Sequence, residues 1–153
     1  MKNLDVIFMN DVLKQFWIWL GVEPEFYAVN GIGCNGKEEC DFPDFMKLIV
    51  YAEEIVAKNI VSEEAINELL TILAIDNESE NTLNYIVEHS TSEQLEVIIS
   101  HGMTHLFFEA RWQLAEILFR RKPTNYIEYL SFLSTDAHSY VAQRAGNCLM
   151  YLK

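Results

Sequence analysis

Cysteines, basic residues and long hydrophobic runs are all scarce in this chain. Its 153 residues include three cysteines, and 11 lysines and arginines stand against 23 acidic residues. A small, odd number of cysteines does not suit a disulfide framework and is typical of a reducing compartment. A net charge of −12 disfavours nucleic acid as a partner, because the phosphate backbone would be repelled.

The absence of long apolar runs excludes a membrane-spanning helix. The longest such run near the N-terminus, Phe16 to Leu20, is far shorter than the roughly 20 residues that a bilayer crossing requires. Asp5 and Asp11 interrupt the N-terminal apolar pattern, and no small-residue cleavage site follows, so no signal peptide is predicted. We expect a cytoplasmic protein without a membrane partner.

What the chain does have is hydrophobic content and negative charge. Half of the residues are hydrophobic, which excludes intrinsic disorder. Residues 1–76 carry 14 acids and 5 bases, whereas residues 77–153 carry 9 acids and 6 bases. Such a surface attracts a basic partner and accelerates the encounter. The length predicts one domain, 1–153, with N-terminal helices in 1–91 and two helical hairpins in 92–153.

Apolar residues spaced three and four apart dominate the pattern. They predict an all-α fold of about eight helices, stacked as antiparallel pairs. The first helix should cover residues 4–20 and end at Gly21, and the sixth, Thr104 to Arg121, has the clearest period. Ser62, the S-x-x-E sequence from Ser90, and Asp136 or Ser134 are the expected caps of later helices.

Residues 22–42 break this periodicity. Within them, Gly31 to Gly36 match G-x-G-x-x-G, which binds a pyrophosphate where it joins a strand to a helix. Phe26 to Val29 could form a short strand, but the sequence after the glycines is acidic and has no apolar stripe. A flexible, acidic surface loop is therefore the favoured interpretation. The acids in and beside it are Glu23, Glu25, Glu38, Glu39, Asp41 and Asp44.

No catalytic or metal-binding pattern accompanies the helices. His101, His105 and Glu109 are spaced four apart, yet Gly102 should interrupt a shared helix and H-E-x-x-H is absent. Cys148 falls on an apolar stripe, which favours an inert buried thiol. We predict that the chain is not an enzyme and has no catalytic residue, cofactor or metal.

The segment 92–153 reads as two copies of one unit. Residues 110–118 align with residues 141–149 at a displacement of 31 positions, so that Ala110 lies over Val141 and Leu114 over Ala145. Self-similarity at such a period is typical of helical repeats. The copies resemble HEAT-type repeats, carried by Ala110, Arg111, Leu114, Ala115 and Leu118 in one unit and Val141, Arg144, Ala145 and Leu149 in the next. This resemblance implies a HEAT-like α-solenoid that acts as a binding scaffold.

A short, strongly acidic chain without a catalytic set also resembles bacterial immunity proteins of contact-dependent or polymorphic toxin systems. That profile implies a protein, monomeric before complex formation, that binds one cognate basic toxin, in particular a nuclease, and occludes its active site. The alternative is a HEAT-like adaptor or regulatory scaffold in a protein complex. The candidate partner-binding residues are the loop acids Glu38, Glu39, Asp41 and Asp44 and the helix residues Glu109, Gln113, Glu116, Tyr140 and Tyr151.

Overall fold

A computed structural model describes residues 12–31 and 33–152, and no strand occurs among them, which confirms the all-α fold class. Residues 12–20 are helical (α1). Ten helices have both ends in the described part: α2 (Pro24–Asn30), the 3₁₀ helices Cys34–Gly36 and Glu39–Asp41, α3 (Phe45–Ala57), α4 (Glu63–Ile75), α5 (Asn81–His89), α6 (Ser92–Gly102), α7 (Phe108–Arg121), α8 (Tyr126–Leu133) and α9 (Ser139–Tyr151).

The prediction of about eight helices was too low, because residues 22–42 are not a plain loop. Pro24 opens α2 at a position where its missing N–H has no helical partner to lose. Gly31, with φ 74°, ends this helix, and its N–H donates to the Tyr27 carbonyl at 2.7 Å. The predicted first helix is helical over 12–20, and its earlier part, 4–11, lies outside the described residues.

The ends of the middle helices follow local hydrogen bonding. Ser62 caps α4 as predicted, since its Oγ accepts the Ala65 N–H at 3.3 Å. The predicted cap at Ser90 was one residue early. Thr91 caps α6 instead, its Oγ1 accepting the Gln94 N–H at 3.1 Å, while Ser90 follows the last turn of α5. The spacing of Ser, Thr and Glu in the sequence could not indicate which of these two neighbouring hydroxyl groups caps the helix.

The last helix is also capped differently from the prediction. His138 is the N-cap of α9, and its Nδ1 accepts the Tyr140 N–H at 3.2 Å. Asp136, two residues before His138, accepts the backbone N–H of His138 at 2.8 Å. Asp136 thus supports the cap residue without being the cap, and Ser134 follows the end of α8.

Helix α7 lies at the centre of the packing and contacts α4, α5, α6, α8 and α9. Ala110, Leu114 and Leu118 are fully buried, as are Val141 and Ala145 of α9, the residues that align with the first two at 31 positions. Contacts also recur between helices two apart in the chain, namely α3–α5, α4–α6, α5–α7 and α7–α9. A stacked solenoid stays a prediction.

Two buried glutamine amides connect distant helices. In α6, Nε2 of Gln94 donates to the carbonyl oxygen of Ile55 in the last turn of α3 at 2.9 Å and to that of Ile60, just after α3, at 2.8 Å. In α7, Nε2 of Gln113 donates to the Leu73 carbonyl of α4 at 2.7 Å. In the described part, none of the helices has both the length and the apolarity needed to cross a bilayer.

Candidate functional site

The acidic segment, residues 33–44, follows α2 and is tied down by its neutral and basic side chains. Asn35 donates from Nδ2 to the Leu20 carbonyl at 2.6 Å, at the end of α1. The Lys37 ammonium bonds the Trp19 carbonyl and lies 5.1 Å from the centre of the Trp19 ring. The buried Phe42 ring meets Phe16 edge to face at 5.5 Å. The segment is therefore packed against α1, not extended into solvent as an unattached loop.

Glu38 and Asp41 lie exposed on this segment, as expected for a contact with a basic partner. Glu78 lies exposed in the turn after α4. Its negative charge acts on the same thiol as theirs, because desolvation and the charges of Asp41, Glu38 and Glu78 together raise the pKa of Cys40. We call Glu38, Asp41 and Glu78 the acidic patch. Glu78 was not among the predicted contact residues, because it comes from a different turn and no local signal links it to the segment.

Glu39 and Asp44, the other two acids of the segment, are less exposed than Glu38 and Asp41. Glu39 is 5% exposed, and its Oε1 accepts the Tyr27 hydroxyl at 2.9 Å and the Gly33 N–H at 3.4 Å. Asp44 is half-buried and pairs with Lys47 at 3.2 Å. The prediction that Glu39 faces solvent is therefore wrong, because its 3₁₀ turn directs Glu39 and Phe42, three positions apart, inward. In this segment only Glu38 and Asp41 contribute freely to the patch.

Glu109 is a fully buried acid at the start of α7. Neither of its carboxyl oxygens has a hydrogen-bond partner in the described part of the chain. Burial raises its pKa to about 7, and the nearby Glu39 charge adds to this rise. The backbone N–H of Glu109 itself and the Arg111 charge act in the opposite direction. Its carboxyl group faces Gly31, at which a Cβ would lie 3.7 Å from Glu109 Oε1.

The predicted surface row Glu109, Gln113 and Glu116 is not formed. Glu109 and Gln113 are 0% exposed, and only Glu116 reaches the surface, in an ion pair with Arg144 at 3.5 Å. Their spacing does put the three side chains on one side of α7. That side is covered, however, because α4 packs over Gln113 and the end of α2 packs over Glu109. The spacing could not indicate that α7 is enclosed on so many sides.

The α7–α9 surface brings aromatic and cationic side chains together. The Arg144 guanidinium lies 4.7 Å from the Trp112 ring centre and 5.9 Å from that of Tyr140, and these two rings meet edge to face at 5.6 Å. Further along, the Phe119 and Tyr151 rings are 6.4 Å apart. We call these five residues the aromatic face. Tyr140 is 39% exposed and Tyr151 is 81% exposed, so both predicted contact residues are accessible.

A second ion pair joins α7 to the turn before α9. The Arg111 Nε and Nη2 atoms donate to the two Asp136 carboxyl oxygens at 2.8 and 3.1 Å, and Nη1 donates to the His105 carbonyl at 2.6 Å. The His105 Nδ1 accepts the Phe107 N–H at 3.2 Å, and burial with the Arg111 charge lowers the pKa of His105 to about 4. Residues 104–107 are thus a connection, and α7 begins at Phe108, later than predicted.

The glycine pattern, Cys148 and the possible metal ligands were the remaining candidates for a chemical role, and their surroundings indicate packing or turns. Gly31, Gly33 and Gly36 all have φ between 70° and 76° and lie between helices, so in the described residues no strand leads into the G-x-G-x-x-G pattern. Cys148 is a buried free thiol whose Sγ faces the Ala115 carbonyl at 3.9 Å, as predicted for a packing residue. No group of three or more histidines, cysteines or acids in the described part of the chain could hold a metal ion.

No family model, curated protein or solved structure matches the chain.

Proposed function

We propose that this chain is an immunity protein that binds and neutralises a cognate basic toxin, in particular a nuclease. The observation that carries the proposal is the acidic patch on a chain of net charge −12. A nuclease needs a positively charged surface to hold phosphates, and a rigid acidic surface can occupy that place. The protein would act in the cytoplasm, as a monomer until it meets the toxin.

The surroundings of the patch support this role. Neither Glu38 nor Asp41 forms an ion pair in the described part of the chain, and Lys37, the nearest base in sequence, is directed onto Trp19. The patch charges are therefore available for a partner. Because Phe42 and Asn35 tie the segment to α1, little conformational entropy is lost when it binds.

The aromatic face supplies a second set of contacts for the same proposal. Tyrosine, tryptophan and arginine are enriched among the residues that carry most of the binding energy of protein interfaces. Tyr140 and Tyr151 are exposed. Trp112 and Arg144 pack beside Tyr140, and Phe119 lies beside Tyr151. A stable interface buries roughly 1,600 Å² in total, so contacts outside the small acidic patch are required.

The aromatic face favours one alternative, a HEAT-like adaptor or regulatory scaffold. Residues 123–153 contain two acids and two bases, so the C-terminal helices are neutral while the rest of the chain carries the negative charge. A neutral, aromatic surface suits partners of many kinds. In the adaptor alternative α3 to α9 would form a solenoid whose helices two apart stack on each other, in line with the recurring contacts.

The first test concerns the gene beside this chain's own gene. The proposal expects it to encode a protein with a basic domain that arrests growth when expressed in bacteria, and expects growth to return when this chain is co-expressed. A neighbour without toxicity, or a toxicity that this chain does not relieve, would contradict the immunity function and leave the adaptor alternative.

The second test concerns the acidic patch. Glu38→Lys with Asp41→Lys should lower the association rate with the toxin by about tenfold at low salt and reduce its salt dependence. The matched control is Glu88→Lys with Glu96→Lys, two exposed acids in α5 and α6. Each pair of replacements moves the net charge from −12 to −8. Equal association rates for the two variants in stopped-flow measurements would reject the patch as the electrostatic contact.

A further inference from the structure

The buried carboxyl group of Glu109 is the least satisfied polar group of the described interior. Both oxygens are without a hydrogen-bond donor there, and the side chain is 0% exposed. The backbone of Gly31 closes over it, since a Cβ at this position would lie 3.7 Å from Oε1. A carboxylate without donors is strongly destabilised in such surroundings, whereas a protonated carboxyl group is tolerated.

Among the charged groups around Glu109, Glu39 favours the protonated form and Arg111 opposes it. Glu39 approaches from the acidic segment, Tyr27 from α2 and Cys34 from the first 3₁₀ helix, while Arg111 lies on α7 itself. Of the two carboxyl groups, Glu39 has the donors, because it accepts the Tyr27 hydroxyl and the Gly33 N–H. Arg111 is committed to Asp136. Glu109 is therefore the group that keeps a proton.

We propose that Glu109 is a pH-sensitive latch: Gly31 and residues 33–41 stay closed over it while it is protonated, and they loosen when its proton leaves. The same short stretch carries Glu39 inward and Glu38 and Asp41 outward. A movement at the buried carboxyl group therefore reaches the acidic patch directly. The consequence for partner binding rests on the proposed function, whereas the latch itself does not.

The acidic segment yields sooner than α7. Helix α7 is held by five neighbouring helices and by buried side chains such as Gln113 and Leu114. Residues 33–41 contain two 3₁₀ turns of three residues each, with few backbone hydrogen bonds. Local opening occurs where buried contacts and protected hydrogen bonds are fewest. A charge appearing on Glu109 is therefore relieved by the segment lifting and admitting water.

The direction of the pH effect follows from linkage. Burial raises the pKa of Glu109 from 4.5 to about 7 in the closed form, and exposure to water returns it to the ordinary value. Between these values the closed form holds a proton that the open form has lost, so rising pH favours opening until about pH 7 is passed. For these two values the opening equilibrium should increase roughly tenfold between pH 6 and pH 8.

Hydrogen–deuterium exchange of the full chain without any partner tests the latch. After correction for intrinsic exchange rates, protection of the amides in residues 33–41 should fall roughly tenfold from pH 6 to pH 8 in the wild type. In Glu109→Gln, which cannot ionise, the protection should not change with pH. Glu68→Gln is the matched control, because Glu68 is also a buried acid but bonds Tyr51 between α3 and α4, so the wild-type pH dependence should persist.

Protection of residues 33–41 that is independent of pH in the folded wild type would overturn the latch, whether or not the variants fold. The same holds if Glu109→Gln keeps the wild-type pH dependence, or if Glu68→Gln abolishes it. Since no toxin enters this measurement, its failure leaves the immunity function standing, and failure of the immunity tests leaves the latch standing.

Discussion

At the scale of single residues, the polar side chains of the interior carry most of the specific connections. Gln94 and Gln113 each donate to a main-chain carbonyl of another helix, and Arg111 donates two parallel hydrogen bonds to the Asp136 carboxylate. Such groups are costly when left unpaired, so they favour one arrangement of helices over others of similar hydrophobic burial. Gln113 was predicted to lie on the surface, since polarity alone predicts exposure.

The Arg111–Asp136 pair yields a residue-scale prediction. Asp136→Asn should lower the free energy of unfolding at pH 7 by about 3 kcal/mol, because the partly buried guanidinium loses its countercharge. Urea denaturation followed by circular dichroism measures this change. Asp41→Asn, at an exposed acid without an ion pair in the described residues, should change stability by less than about 0.5 kcal/mol. Equal effects of the two variants would contradict the assigned role.

The same pair has a defined pH dependence. Burial would raise the pKa of Asp136, but Arg111 and the His138 N–H outweigh it and hold the pKa below its usual value of 3.8. A lowered pKa means that the stabilisation is complete above that value and disappears as the pH falls through the folded-state pKa. The stability difference between wild type and Asp136→Asn should therefore shrink below about pH 4. A difference as large at pH 3 as at pH 7 would contradict the pairing.

At the scale of elements, helix type and approximate position were predictable, and helix ends only in part. Ser62 caps the start of α4 and Gly21 ends α1 in the predicted way, because these signals depend on the residue itself. The short helix α2 escaped notice, since seven residues around one buried side chain, Tyr27, are too few to show a helical period.

The cap of α6 yields an element-scale prediction that separates neighbouring hydroxyls. Thr91→Ala should cost about 1 kcal/mol, because the Gln94 N–H loses its acceptor. The Thr91 hydroxyl also donates to Asn59 Oδ1 at 2.6 Å, which adds to the loss. Ser92→Ala, at the exposed first position of the helix, should change stability by less than about 0.5 kcal/mol in thermal unfolding. A larger loss for Ser92→Ala would show that the cap is misassigned.

At the scale of the whole molecule, the excess of negative charge should make thermal stability depend on salt concentration. A compact chain with a net charge of −12 repels itself, and salt screens this repulsion. We predict that the melting temperature rises when NaCl is increased from about 10 mM, where the Debye length is about 30 Å, to about 500 mM. Differential scanning calorimetry at constant pH measures the rise.

The variants with a net charge of −8 serve as whole-molecule controls. The variants Glu38→Lys with Asp41→Lys and Glu88→Lys with Glu96→Lys should both show a smaller rise than the wild type, because both have a net charge of −8 and repel themselves less. Only the first pair should slow partner binding. A melting temperature that falls with salt in the wild type would contradict dominant self-repulsion.

The sequence by itself determined the all-α class, the positions of most helices, the spacing of 31 residues between the buried residues of α7 and α9, and the sign of the surface charge. These follow from local periodicity and composition, which any stretch of chain carries independently of its neighbours. Only the tertiary structure decided which polar residues are inside. Glu109 and Gln113 are enclosed because α4 and the end of α2 cover one side of α7, and such coverage depends on helices up to about 80 positions away. Glu39 is enclosed because its 3₁₀ turn packs toward Tyr27 of α2.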